Sequence, residues 1–266
     1  MSPRCRGSLL MWHWQTTELG RFLTCDLLQG FRHGFFTRDW QGQDLSALTA
    51  ALGATATPLR TQQVHGDRVA LAAEVLAWEQ PLAADALVAT GSNQALWVCS
   101  ADCVPLLVAD VASGRVAAIH AGWRGTAIQI SKATLQQMQA CGSDLANLRI
   151  AMGPAIRGEV YQVGLKVARA LAQTILEGIT ETTDRDDLYQ RFAALDPAAV
   201  FLDPDPERLR VDVARVNRLQ LLQLGLRDEQ IALSPHCTFR DAEFFFSYRR
   251  EPLKQVQWSG IVSRFR

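Results

Sequence analysis

Two short apolar runs on either side of a turn constrain this chain more than any other feature. The first is Leu96-Trp97-Val98-Cys99-Ser100-Ala101-Asp102-Cys103-Val104-Pro105-Leu106-Leu107-Val108-Ala109-Asp110, and the second is Val116-Ala117-Ala118-Ile119-His120. Runs rich in Val, Ile and Leu around an Asp/Ser/Gly signal read as a β-hairpin. A register that pairs Asp110 with Ser113 across the turn also pairs Cys103 with His120. Cross-strand neighbours lie within about 5 Å at Cβ. A thiol and an imidazole are therefore expected side by side at the foot of the hairpin, near enough to share a metal ion or a proton.

The length, 266 residues, suits one large domain or two small ones. A hydrophobic content of 48% with 20% charged residues describes an ordinary globular protein with a sizeable core. Lys+Arg and Asp+Glu are equal at 27 each, which argues against a broad nucleic-acid or acidic-membrane surface. No apolar run approaches the roughly 18 residues that a membrane helix needs. The start, from Met1 to Trp12, is basic but gives way to His13, Trp14, Gln15 and Glu18 without the apolar stretch of a secretory leader. The expectation is a cytoplasmic protein. Its six cysteines (Cys5, Cys25, Cys99, Cys103, Cys141 and Cys237) are scattered, so a disulfide framework is not expected.

Along the chain, Gly34–Arg38 reads as a strand and Leu45–Leu52 as a short helix stopped by Gly53. Leu59–Val64 and Arg68–Leu71 read as strands around the turn His65-Gly66-Asp67, with His65 free to project into a cleft. Ala83–Val88 and Leu148–Met152 are further strands. After the hairpin, Ala121–Gly125 reads as a tight connection and Thr126–Ala140 as a helix closed by Cys141-Gly142. Free amides at that helix start, with Arg124 nearby, suit an anion such as phosphate. Gln162–Ile175 is expected to be helical, Thr180–Asp187 loop, and Pro197–Pro206 a surface connection. Asp212–Leu224 fits an amphipathic helix, and Gln230–Leu233 and Phe244–Tyr248 fit strands.

His65, Cys103 and His120 fall at expected strand ends. A thiolate with two imidazoles is a good zinc set that leaves one tetrahedral place open for water or substrate. The spacing follows no short zinc pattern, and a single Cys or His in such a chain is as readily a packed residue. Bringing His65 to the other two needs a tertiary contact.

A series of motifs then occurs in order: Gln63-Val64-His65-Gly66, Ala84-Asp85-Ala86-Leu87, Ala101-Asp102-Cys103-Val104-Pro105, His120-Ala121-Gly122-Trp123-Arg124-Gly125-Thr126, Gly153-Pro154-Ala155-Ile156 and Phe245-Phe246-Ser247-Tyr248-Arg249-Arg250. Together they resemble the YfiH-type family, also called laccase-domain or polyphenol oxidase-like proteins and counted among purine nucleoside phosphorylases. The resemblance covers roughly residues 30 to 262. It implies an α/β (α+β mixed) fold: a single domain of mixed β-sheets flanked by helices, spanning 30–266 after an N-terminal segment 1–29. It also implies that His65, Cys103 and His120 are the zinc ligands and the catalytic centre.

Activities of the family are phosphorolysis of adenosine, inosine and methylthioadenosine, and deamination of adenosine. Copper-dependent phenol oxidation and peptidoglycan-precursor editing are the alternatives. Nucleoside and phosphate are the expected partners, with zinc, or copper, as the metal and a monomer or small homo-oligomer as the assembly. Arg38, Arg124 and Arg249 are the candidate substrate- and phosphate-binding cations. Asp85 and Asp102 are the carboxylates that would orient a ligand histidine or shuttle a proton, although both suit hydrogen bonding of turn amides as well. The chain departs from the family pattern in the short segment after Arg38, in Glu159-Val160-Tyr161 without the usual preceding cysteine pair, and in Gln255-Val256-Gln257-Trp258.

Overall fold

A computed structural model describes residues 11–195 and 198–265. The first half runs β1 (Trp12–Thr17), β2 (Gly20–Cys25), β3 (His33–Phe36), α1 (Leu45–Ala51), β4 (Thr57–Arg60), β5 (Val69–Leu71), α2 (Ala72–Ala77), β6 (Ala86–Val88) and β7 (Gln94–Ser100). The hairpin follows as β8 (Val104–Asp110) and β9 (Val116–Ala121), then α3 (Trp123–Ala127), α4 (Ile130–Ala140) and β10 (Leu148–Met152). The last third adds β11 (Gln162–Gly164), α5 (Leu165–Ala172), α6 (Arg185–Ala193), β12 (Val200–Leu202), β13 (Arg208–Val211), α7 (Val213–Gln223), β14 (Ile231–Leu233) and β15 (Gln257–Val262).

Two six-stranded sheets carry the architecture, in the orders β1-β2-β3-β15-β7-β4 and β14-β10-β8-β9-β6-β5, and β11-β13-β12 form a small third one. Both large sheets mix parallel and antiparallel pairs, so the molecule is a single mixed α/β domain. Strands β1 and β2 are hydrogen-bonded into the first sheet, so the leading segment from residue 12 onward is part of that layer.

Alternation along the hairpin explains its apolar character. Val104, Leu106, Val108, Ala117, Ile119 and Ala121 face the helical side with Ile130, Leu135 and Val216. Leu107, Ala109, Val116 and Ala118 face the first sheet with Phe35, Leu96, Val98 and Ile261. A strand covered on both faces needs apolar residues at every position. Truncating a fully buried Leu such as Leu106 or Leu107 costs about 2–5 kcal/mol, a large share of a typical domain's stability. By the same parity, Cys103 and His120 point toward the seam between the two large sheets, at its open end.

The register differs from the expected one by two residues: Val104 pairs with Ala121 and Pro105 with His120. The Asp110 carboxylate accepts the N–H groups of Ala112 and Ser113, and Gly114 takes φ +80°. The loop therefore holds residues 111–114 and closes on Arg115. A slip of two leaves side-chain parity intact, so Cys103 is diagonal to His120 on the same face instead of directly opposite.

Other elements also depart from the sequence reading. The helix expected over 126–140 is two helices, α3 starting already at Trp123, separated by Gln129 at φ +60°. Gln162–Gly164 is a strand preceding α5, and the Asp184 side chain caps Asp186 and Asp187 so that α6 begins inside the expected loop. The Pro-rich connection contains β12. Phe244–Tyr248 is not a strand: the Gln257 carboxamide takes both backbone groups of Phe246, and Phe245 and Phe246 are buried as anchors. Strands β4 and β5 lie in different sheets, so residues 61–68 cross from one to the other. The basic start with Cys5, and Pro197, lie outside the described residues. Among the described residues no helix is long and apolar enough to cross a membrane.

Candidate metal centre

Three connections meet at the open end of the seam. The turn after β4 carries His65, the turn between β7 and β8 carries Cys103, and β9 carries His120 one residue before its end. Their ligand atoms lie within 4.8 Å of one another. His65 Nε2 is 3.9 Å from Cys103 Sγ, and the two imidazoles meet edge to face at 4.8 Å between centroids.

Asp85, fully buried just ahead of β6, ties two of these connections together. It accepts the N–H groups of Val64, His65 and Gly66 at 2.8–3.0 Å, and the His120 Nδ1–H at 2.8 Å. One carboxylate thus sets the path of the His65 turn and the tautomer of His120, leaving His120 Nε2 to face Cys103. The Gln63 carboxamide adds a second tether, pairing with both the N–H and the C=O of Cys99 at 2.8 and 2.7 Å. His65 and Asp102 hold φ of +61° and +91°. Non-glycine residues in that region cost free energy and persist where the surroundings hold them. Gly122 is required by close approach, since a Cβ there would stand 2.8 Å from Cys103 Sγ and 3.1 Å from His65 Cδ2.

Burial alone would raise the Cys103 thiol, but hydrogen bonds with His120 and His65 outweigh it and bring the thiol down to about 7. Burial alone would lower His120, yet its hydrogen bonds to Asp85 and Cys103 carry it up to about 9. Asp85 is held below the ordinary carboxylate range, its burial outweighed by His120 and the backbone N–H donors. The thiolate form is the one that binds metals.

The donor set fits a metal ion. One thiolate, two imidazoles and a carboxylate behind one imidazole match a zinc or copper site. Bonds of roughly 2.0–2.3 Å at tetrahedral angles separate ligand atoms by about 3.5 Å, so the 4.8 Å upper separation closes with small side-chain rotations.

The other expected residues divide into two groups. Asp102 does not reach a ligand histidine: its carboxylate accepts from Thr238 Oγ1 and from the Arg249 N–H, both at 2.7 Å, so it ties loops beside Cys103 together. The Arg249 guanidinium lies 4.8 Å over the Tyr161 ring and donates to the Gln162 carbonyl. Arg124, exposed on α3, lies over the Trp123 ring, and its charge reaches Tyr161. Arg38 donates to the Ala242 carbonyl and covers the Phe246 ring. Helix α3 has five residues, too few to serve as the anion-binding helix start that the sequence suggested. Tyr161 is the residue that motif reading missed. Burial and the nearby Cys103 charge push its phenol up to about 12, against Arg249 and Arg124.

The sequence profile described as multi-copper polyphenol oxidoreductase laccase matches residues 42–261. The chain belongs to this laccase-like YfiH family. Within the family, a purine nucleoside phosphorylase of Synechocystis is 44% identical over 260 residues, covering 95% of this chain and 97% of that protein. An adenosine deaminase from an unknown prokaryotic organism is 31% identical over 166 residues, covering 62% of this chain and 56% of that protein. The crystal structure of the Bacillus licheniformis hypothetical protein YfiH shares the fold, with a TM-score of 0.76 at 24% identity over 94% of this chain and 99% of that one.

Proposed function

We propose that this chain is a zinc-dependent purine nucleoside phosphorylase that also deaminates adenosine, with His65, Cys103 and His120 as its metal ligands. The observation that carries the reading is the meeting of these three side chains around one point, with Asp85 behind His120. A zinc ion there would supply Lewis acidity and lower the pKa of water toward about 7. The protein's own contribution is orientation. Asp85 holds the His120 ring by Nδ1 and the His65 turn by its amides, so neither ligand has to be ordered when substrate arrives. Arg124 and Arg249 place positive charge beside the cleft, suited to an incoming phosphate. Asp102 fixes the Arg249 backbone next to the Cys103 turn. Substrates are nucleosides and inorganic phosphate, met in the cytoplasm.

Copper is the competing metal, because it binds N/S donor sets tightly and the family profile is named for polyphenol oxidoreduction. Electron transfer from phenols to oxygen draws on several metal centres. Among the described residues, one His/Cys/Asp/Glu group converges in this way. The test is to incubate protein prepared without added copper with inosine or adenosine, with and without phosphate. The expected products are free base and ribose 1-phosphate only with phosphate, and inosine from adenosine without it, at one zinc per chain. Phenol oxidation alone, tracking copper content, overturns the reading.

A further inference from the structure

We propose that Tyr161 is a catalytic residue of this cleft, its phenol hydroxyl donating a hydrogen bond to the purine as the glycosidic bond breaks. The inference rests on the phosphorylase reading above and adds a group that the metal-ligand motifs do not contain. Three observations support it. Tyr161 is joined to the Cys103 turn through Arg249, whose guanidinium lies over its ring and whose N–H is held by Asp102, the residue before Cys103. It is held rigidly: its N–H donates to the carbonyls of Arg157 and Gly158, its carbonyl accepts from Val211, and Arg249 covers its ring at 4.8 Å. Among the described residues no hydrogen bond engages its hydroxyl. A fixed, half-buried phenol whose O–H has no partner among the described residues is free to donate to a bound ligand.

The chemistry assigns the ligand atom. In phosphorolysis a phosphate oxygen forms a bond to the anomeric carbon while the carbon–nitrogen bond breaks and its electron pair leaves with the purine. Negative charge grows on the purine ring nitrogens. The neutral phenol suits that charge without transferring its proton, whereas the dianionic phosphate is matched by the exposed Arg124. The proton lost by hydrogen phosphate reaches the purine through solvent.

The experiment compares wild type and Tyr161→Phe on inosine and on N7-methylinosine, whose base leaves uncharged and needs no donor. For inosine, kcat/KM is expected to fall about 100-fold. For N7-methylinosine it is expected to stay at the wild-type value, with metal content and melting temperature unchanged. An equal loss on both substrates, or no loss on inosine, overturns the assignment to the departing base while leaving the phosphorylase reading intact. Wild-type protein that cleaves neither nucleoside with phosphate overturns both.

Discussion

His33 and His120 are both buried on strands of the same domain, 6% and 4% exposed, yet they are built for opposite ends. His33 spends both nitrogens on backbone: Nδ1–H donates to the Phe31 carbonyl and Nε2 accepts the Cys25 N–H, each at 2.8 Å. That pattern requires the neutral ring, and burial pushes its pKa below the ordinary 6.5 despite the carbonyl partner. His120 gives Nδ1 to a buried carboxylate and turns Nε2 to the Cys103 thiol, with its pKa carried up to about 9. Burial therefore does not separate a strut from a ligand. What separates them is what the second nitrogen meets: a backbone N–H for His33, and the Cys103 thiol for His120.

Breaking the metal side should produce the largest effect. Cys103→Ala is expected to abolish stoichiometric metal and to lower phosphorolysis about 1000-fold, several kcal/mol of barrier, whereas His33→Leu should keep full metal content. Elemental analysis and initial rates on inosine check both arms. Next, Asp85→Asn keeps the shape but weakens the hold on His120 and the 64–66 amides, and metal affinity should drop about 10–100-fold by chelator competition. On the strut side, His33→Leu leaves the Cys25 N–H without a buried acceptor and should cost about 1–3 kcal/mol in urea unfolding. Retained stability in that variant would remove the distinction between the two histidines.

The smallest effect is a pH dependence. Protonating His33 at Nε2 removes the acceptor for Cys25, so below about pH 6.5 the unfolded chain takes up a proton that the folded chain refuses. Stability contributed by His33 is present above that pH and is lost as the pH falls, by at most about 1.4 kcal/mol per unit. Subtracting the His33→Leu profile from the wild-type profile isolates it. A difference that is flat between pH 5 and 7 would show that the buried ring tolerates the charge.

The hairpin foot was legible because alternation has a period of two, and the slip of two residues preserved which face each side chain took. The slip itself was not legible, since the Asp110 carboxylate and the left-handed Gly114 lengthen the turn through local hydrogen bonds that apolar patterning does not record. The break at Gln129 escaped for a similar reason, the apolar spacing continuing through it. Asp85 and Asp102 were equivalent as carboxylates beside ligand motifs. Only the crossing of residues 61–68 between sheets brings Asp85 to both the His65 backbone N–H and the His120 imidazole, while Asp102 goes to Thr238 and Arg249. Arg38 likewise carried the same charge as Arg124 and Arg249 in the sequence, and only the fold shows that it rests on the 242–246 loop.

By itself the sequence determined the ligand types and the face on which Cys103 and His120 stand, because residue chemistry and strand periodicity are local properties, while the mixed α/β fold was implied by the family resemblance of its motifs. Tertiary structure supplied the contact that brings His65, named by the family motifs, to the other two, and alone decided that Asp85 holds both the His65 turn and His120 and that Asp102 ties Arg249 to the Cys103 turn. Those outcomes depend on where separate sheets and loops meet, and packing sets that meeting point through contacts between residues far apart along the chain.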